Sequence, residues 1–190
     1  MKPSRNNTVA EPVNCKMSTA IAYWLTPTEP TRGFLEKLIV DLARRFGGPV
    51  FEPHVTIHVG PDQAEVAEQI VSQVAIGCES TRLEVLDVHH SRQFTKTLFV
   101  QLALNAKLQG LSYLIRGASK TPSDYQLEPH VSLLYGSMSL PTRRELARSI
   151  RLPFSTVVFN SIKAVRCVLP TRNRVEVEAW RVIATKSLNE

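Results

Sequence analysis

Apolar residues recur along this chain with two different periods. Between Thr31 and Phe46 they fall at Phe34, Leu35, Leu38, Ile39, Leu42, Ala43 and Phe46, the spacing of an amphipathic helix, and Gly47-Gly48-Pro49 stops it. Asp62 to Ile76 repeats the period with Ala64, Val66, Ala67, Ile70, Val71 and Val74 and ends near Gly77. Asn105 is placed to cap a third helix running to about Arg116, and Pro141 to Ile150 fits a fourth with proline in its first turn. The intervening segments are β-like: Ser18 to Leu25, Arg82 to Val88 with Leu83 and Val85 alternating, and the more apolar Phe94 to Leu104. Phe154 to Leu169 and Arg174 to Thr185 read as long strands closing in a hairpin around Pro170-Thr171-Arg172-Asn173. This recurring order, with substantial antiparallel pairing, predicts an α+β fold whose two lobes face across a central cleft. Residues 1–16 are polar and without period, which predicts a disordered N-terminal tail ahead of a single bilobal domain over 17–190.

One stretch occurs twice. Glu52-Pro53-His54-Val55-Thr56-Ile57-His58-Val59-Gly60 returns 76 residues later as Glu128-Pro129-His130-Val131-Ser132-Leu133-Leu134-Tyr135-Gly136. Glu, Pro, His, Val, a hydroxyl residue, an aliphatic residue and a final Gly share their offsets, which is the mark of an internal duplication. Each copy begins after proline, stops at glycine and is rich in β-branched and aliphatic residues, so each reads as a strand. Side chains two apart on a strand share a face, roughly 6.5–7 Å apart. His54 and Thr56 therefore look one way and Val55 and Ile57 the other; His130 and Ser132 repeat this against Val131 and Leu133. Two such half-sites face to face supply a general base, a general acid and two hydroxyl donors for a phosphoryl oxygen.

Other candidates carry less. His58 is four residues beyond His54, a separation of roughly 13 Å on a strand, too great for one metal ion. His89 and His90 point to opposite faces and read as structural or surface residues, and Phe94 as a core aromatic. Arg92 and Lys96 read mainly as solvated cations, and Arg143, Arg144, Arg148 and Arg151 as a solvated helix face. No glycine-rich phosphate loop and no Gly-x-Ser-x-Gly elbow is present.

Composition adds limits rather than a site. A 190-residue chain with 43% apolar and 21% charged residues is ordinary for a globular protein of one large or two small fused cores. A formal charge of +6 favours anionic partners without locating them. Cys15, Cys78 and Cys167 are far apart and odd in number, which reads as reduced thiols. No apolar run reaches membrane-helix length and no signal segment precedes the first strand, so a cytoplasmic protein without membrane partners is expected.

The paired His-x-Thr/Ser-x-hydrophobic motifs resemble those of the 2H phosphoesterases, and His130-Val131-Ser132-Leu133-Leu134-Tyr135 is especially similar to the plant and fungal cyclic phosphodiesterase branch. Tyr23-Trp24-Leu25-Thr26-Pro27 resembles that branch's first strand and Glu178-Ala179-Trp180 its last, so the resemblance spans roughly residues 18–186. It implies a two-lobed duplicated fold with antiparallel sheets facing a central cleft and helices outside. It also implies hydrolysis of ribose cyclic phosphates, without metal or other cofactor, by His54 and His130, with Thr56 and Ser132 holding phosphate and Trp24 and Tyr135 lining the pocket. By the same resemblance His130 is the base and His54 the acid, an order that the near-symmetry of the motifs leaves open. The implied substrate is a small cyclic nucleotide, ADP-ribose 1″,2″-cyclic phosphate or a nucleoside 2′,3′-cyclic phosphate, acted on by a monomer. RNA ends, as substrates of a 2′,3′-cyclic phosphodiesterase or a 2′,5′-RNA ligase, are the rival reading. A non-catalytic nucleotide- or RNA-binding module is disfavoured by the integrity of both motifs.

Overall fold

The computed structural model describes residues 18–119 and 123–189, within which the apolar periods resolve into seven strands and five helices. The expected tail and Cys15 lie outside the described residues. The chain runs β1 (Ser18–Pro27), α1 (Thr31–Phe46), β2 (Val55–Pro61), α2 (Ala64–Gly77), β3 (Thr81–His90), β4 (Leu98–Leu102), α3 (Ala106–Ala118), β5 (His130–Leu134), α4 (Leu140–Ser149), β6 (Thr156–Leu169), α5 (Arg174–Glu178) and β7 (Arg181–Ser187). Its helices begin and end where local chemistry directs. Gly47 closes α1 at φ 71°, a left-handed conformation in which glycine carries no Cβ penalty, with its N–H on the Ala43 carbonyl. Asn105 caps α3 by accepting from the Leu108 N–H, and Ser139 caps α4 ahead of Pro141.

The duplication is a topological fact. β1-α1-β2-α2-β3 and β4-α3-β5-α4-β6 are equivalent units, and the third strand of each crosses to the other: β6 pairs with β1, and β3 pairs with β4. The two crossing strands meet at their beginnings, Thr81–Glu84 against Thr156–Phe159. The sheet order is therefore β2-β1-β6-β3-β4-β5, antiparallel throughout, with β7 added to β6. The helices follow the same exchange, α1 packing on β5 and α3 on β2. The result is α+β, two antiparallel lobes joined by exchanged strands, with apolar residues of strands and helices buried between them, including Leu35, Ile57, Leu108, Val131 and Phe159. Among the described residues no helix is long and apolar enough to cross a membrane.

Two elements differ from the sequence reading. Phe94 to Leu104 is not one strand: Phe94–Lys96 forms a 3-10 turn and β4 is only five residues long. Thr97, buried, causes the break, its hydroxyl donating to the Gly136 carbonyl at 2.7 Å and accepting from the Gly136 N–H. Arg174 to Thr185 is likewise interrupted, because Asn173 accepts from the Glu176 N–H and Glu176 accepts from the Arg172 N–H, a reciprocal cap that starts α5. Trp180 thus precedes the last strand rather than lying in it.

Candidate active site

Both motif strands carry the same irregularity at the same offset. Trp24 pairs with Thr56 while its neighbour Tyr23 pairs with His58, leaving Ile57 as an extra residue; Phe99 pairs with Ser132 while Leu98 pairs with Leu134, leaving Leu133 extra. Each is a β-bulge just after the hydroxyl residue, and a bulge reverses the alternation of faces beyond it. Before the bulge, His54, Thr56, His130 and Ser132 face the cleft, and Val55, Ile57, Val131 and Leu133 are fully buried. After it, His58 and Leu134 turn to the core, and Val59 and Tyr135 turn to the cleft. Simple alternation would have sent Tyr135 inward; the bulge is what delivers it to the site. The tight approach of Gly48 fixes it there, since a Cβ on Gly48 would stand 2.6 Å from the Tyr135 carbonyl oxygen.

Each histidine is oriented by its own motif. Nδ1 of His54 lies 2.7 Å from the Glu52 carbonyl and Nδ1 of His130 lies 2.6 Å from the Glu128 carbonyl. A carbonyl only accepts, so Nδ1 carries the proton in both rings and Nε2 is left for chemistry. The carboxylates of those same glutamates are pinned by lysines, Glu52 by Lys163 at 2.6 Å and Glu128 by Lys96 at 2.8 Å. An aromatic ring meets each imidazole: Trp24 stacks on His54 with centroids 3.7 Å apart and planes 12° apart, and Phe99 meets His130 edge-on at 5.4 Å.

The charge environments are less alike than the geometry. Burial pushes His54 down to about 4, with His130 and Lys163 lowering it further and the Glu52 carbonyl opposing them. His130 is lowered by burial too, but the Glu128 carbonyl and carboxylate offset part of this against Lys96. Burial also lifts the Tyr135 phenol far above the ordinary tyrosine range, the Ser132 hydroxyl beside it offsetting this in part, so Tyr135 acts as a neutral O–H. The Ser132 hydroxyl donates to the Thr95 carbonyl at 2.8 Å.

These groups line one cavity of about 550 Å³, the size of a small-ligand site. The six residues singled out in the sequence, His54, His130, Thr56, Ser132, Tyr135 and Trp24, all line it. Lys96 joins them, whereas Arg92, His89 and His90 do not. Phe94 is half-buried on the cleft wall rather than in the main core. Trp180 and Tyr125 were not singled out: Trp180 packs edge-on against Trp24 at 5.3 Å, and Tyr125 donates its hydroxyl to the Thr56 carbonyl at 2.9 Å. Arg143 is not a solvated residue but is buried, donating to the Ser91 carbonyl, and no arginine of α4 reaches the cleft. Among the described residues no cluster of three or more His, Cys, Asp or Glu is placed to hold a metal ion.

The chain is similar to known proteins in sequence and in fold. A family model described as cyclic phosphodiesterase-like protein matches residues 17–188. A cyclic phosphodiesterase from Arabidopsis thaliana is 23% identical over 170 residues, covering 87% of this chain and 93% of its own. In fold, the chain is similar to Escherichia coli LigT crystallised with 3′-AMP, at TM-score 0.54 and 15% identity over 90% of this chain and 99% of that one. A Thermus thermophilus protein gives TM-score 0.59 and 15% identity over 89% and 97% of the two chains.

Proposed function

The chain belongs to the cyclic phosphodiesterase-like family and is a phosphodiesterase, and from that premise we propose that it hydrolyses ribose cyclic phosphates by acid/base catalysis shared between His54 and His130. The observation that carries this reading is the convergence of two His-x-hydroxyl half-sites, each with Nδ1 held by its own motif carbonyl, on one nucleotide-sized cavity. Thr56 and Ser132 donate to the non-bridging oxygens as charge shifts among them, and Tyr135 offers a further neutral O–H. Trp24 and Trp180 give the ligand aromatic faces.

In the proposed order His130 takes a proton from water, the water oxygen attacks phosphorus, the ester bond to one ribose oxygen breaks, and His54 protonates that oxygen. One proton must then reside on the pair, and the free site favours placing it on His130. Catalysis in this order runs through the less populated of the two singly protonated forms, a condition that the bound phosphate anion and the Trp24 face relieve by stabilising imidazolium at His54.

Small nucleotides, ADP-ribose 1″,2″-cyclic phosphate or nucleoside 2′,3′-cyclic phosphates, suit the cavity better than RNA, because none of the arginines of α4 continues it as a basic track. The test is turnover in EDTA of both small-nucleotide types and of a short RNA ending in 2′,3′-cyclic phosphate, with product isomers resolved. Turnover that survives chelation and collapses in His54→Ala and His130→Ala supports the reading. Failure of folded protein on all three overturns it.

A further inference from the structure

Cations near the cleft are compensated, with one exception. Lys96 is tied to Glu128, and Lys163, beside the His54 motif, to Glu52. Arg172 lines the same cavity with an exposed side chain that meets no carboxylate or hydrogen-bond acceptor among the described residues. Its backbone, by contrast, is fixed. The Arg172 N–H donates to the Glu176 carboxylate in the reciprocal cap that begins α5. That short helix is docked by Val177, buried with Ile39, Phe51 and Tyr135, and by Arg174, which donates to the carbonyls of Gly47 and Gly48. A segment that spends a cap, a buried valine and an arginine on holding its turn still presents one guanidinium to the cleft unpaired.

Arg172 lines the cavity beyond the end of β6, beside Ala22, Cys167 and Leu169, and belongs to neither His-x-hydroxyl motif. A planar guanidinium with free donors binds phosphate oxygens in pairs. Building on the cyclic-phosphate reading above, we propose that Arg172 forms a second anion subsite, recognising a phosphate or diphosphate that the substrate carries in addition to its cyclic phosphate. Trp24 and Trp180 line the same cavity and offer the base of such a nucleotide an aromatic surface.

The test uses two substrates differing in one group, adenosine 2′,3′-cyclic phosphate and the same molecule with a 5′-diphosphate, against wild type, Arg172→Gln and Arg172→Lys. The expected result is a loss of about 10- to 100-fold in kcat/KM for the 5′-diphosphate substrate in Arg172→Gln, carried by KM, with less than about twofold change for the parent. Arg172→Lys recovers part of the loss. An equal loss on both substrates, or no loss on either, overturns the subsite. Melting temperature is measured alongside, and a fall in it accompanied by equal losses identifies a structural role instead. If wild type turns over neither substrate, the proposed function fails, and the subsite is judged by calorimetric binding of ADP: tenfold weakening in Arg172→Gln upholds it and unchanged affinity refutes it.

Discussion

The two half-sites share a backbone plan and differ in their surroundings. In both, a Glu-Pro-His turn enters a strand, a hydroxyl residue follows two positions on, and a bulge turns the next cleft residue inward to the site. The His54 half is the dry one: its ring is buried under Trp24, and its Glu52–Lys163 pair is largely enclosed, at 22% and 16% side-chain exposure. The His130 half is the wetter one: Lys96 is enclosed at 13%, but its partner Glu128 is at 68% exposure, and only the edge of Phe99 meets the ring. Duplication copied the geometry, while divergence of the residues packed around each motif set the two imidazoles to different proton affinities. In the proposed acid/base pair this difference decides which ring holds the single proton in the free site.

The largest expected effect removes that pair. His54→Ala and His130→Ala should each lower kcat by about 10²–10⁴, and the double variant should fall far less than the product of the two, because the histidines act as one unit. Steady-state kinetics on folded variants checks this, and multiplicative losses would show independent roles.

The second prediction makes the same change in both halves. Glu52→Gln replaces an enclosed carboxylate beside the enclosed Lys163 and should cost about 1.5–3 kcal/mol of stability, whereas Glu128→Gln replaces an exposed carboxylate beside the similarly enclosed Lys96 and should cost less, about 1 kcal/mol. Chemical denaturation of the two variants compares them directly; equal costs would mean that the halves do not differ in enclosure.

How much of this was legible beforehand varies by residue. His54, Thr56, His130 and Ser132 were legible because strand alternation holds up to each bulge. Tyr135 was assigned to the pocket from the resemblance alone, since nothing in a period of two marks an extra residue at Ile57 or Leu133. The Glu–Lys pairs were not legible either, because their partners lie 111 and 32 residues apart. Trp180 was missed because the Arg174–Glu178 segment read as strand, although Asn173-x-x-Glu176 was a visible capping signal. Arg143 read as solvated from its helix position, and only the packing of α4 on β3 buries it.

The third and smallest effect is on pH dependence. With His54 held at about 4 and His130 lowered below its ordinary 6.5, kcat/KM should be bell-shaped. It should fall at low pH as both rings become protonated and fall again as pH rises through the depressed value of His130. The profile of kcat should lie at higher pH, because bound phosphate raises both rings. Stability follows the same sign: the folded state binds fewer protons at His54 than the unfolded chain between about 4 and 6.5, so stability is complete above 6.5 and is lost as pH falls toward 4. His54→Gln should flatten that loss in thermal melts, and an unchanged loss would place its origin elsewhere.

The division of labour between the halves is tested most directly with a cyclic phosphorothiolate whose sulfur occupies the leaving position, since a thiolate departs without being protonated. The account predicts that kcat/KM of His54→Ala on this substrate rises to within about tenfold of wild type, while His130→Ala stays depressed by the full factor of about 10²–10⁴. Rescue of His130→Ala instead would reverse the order of acid and base, and rescue of neither would contradict acid/base catalysis by this pair.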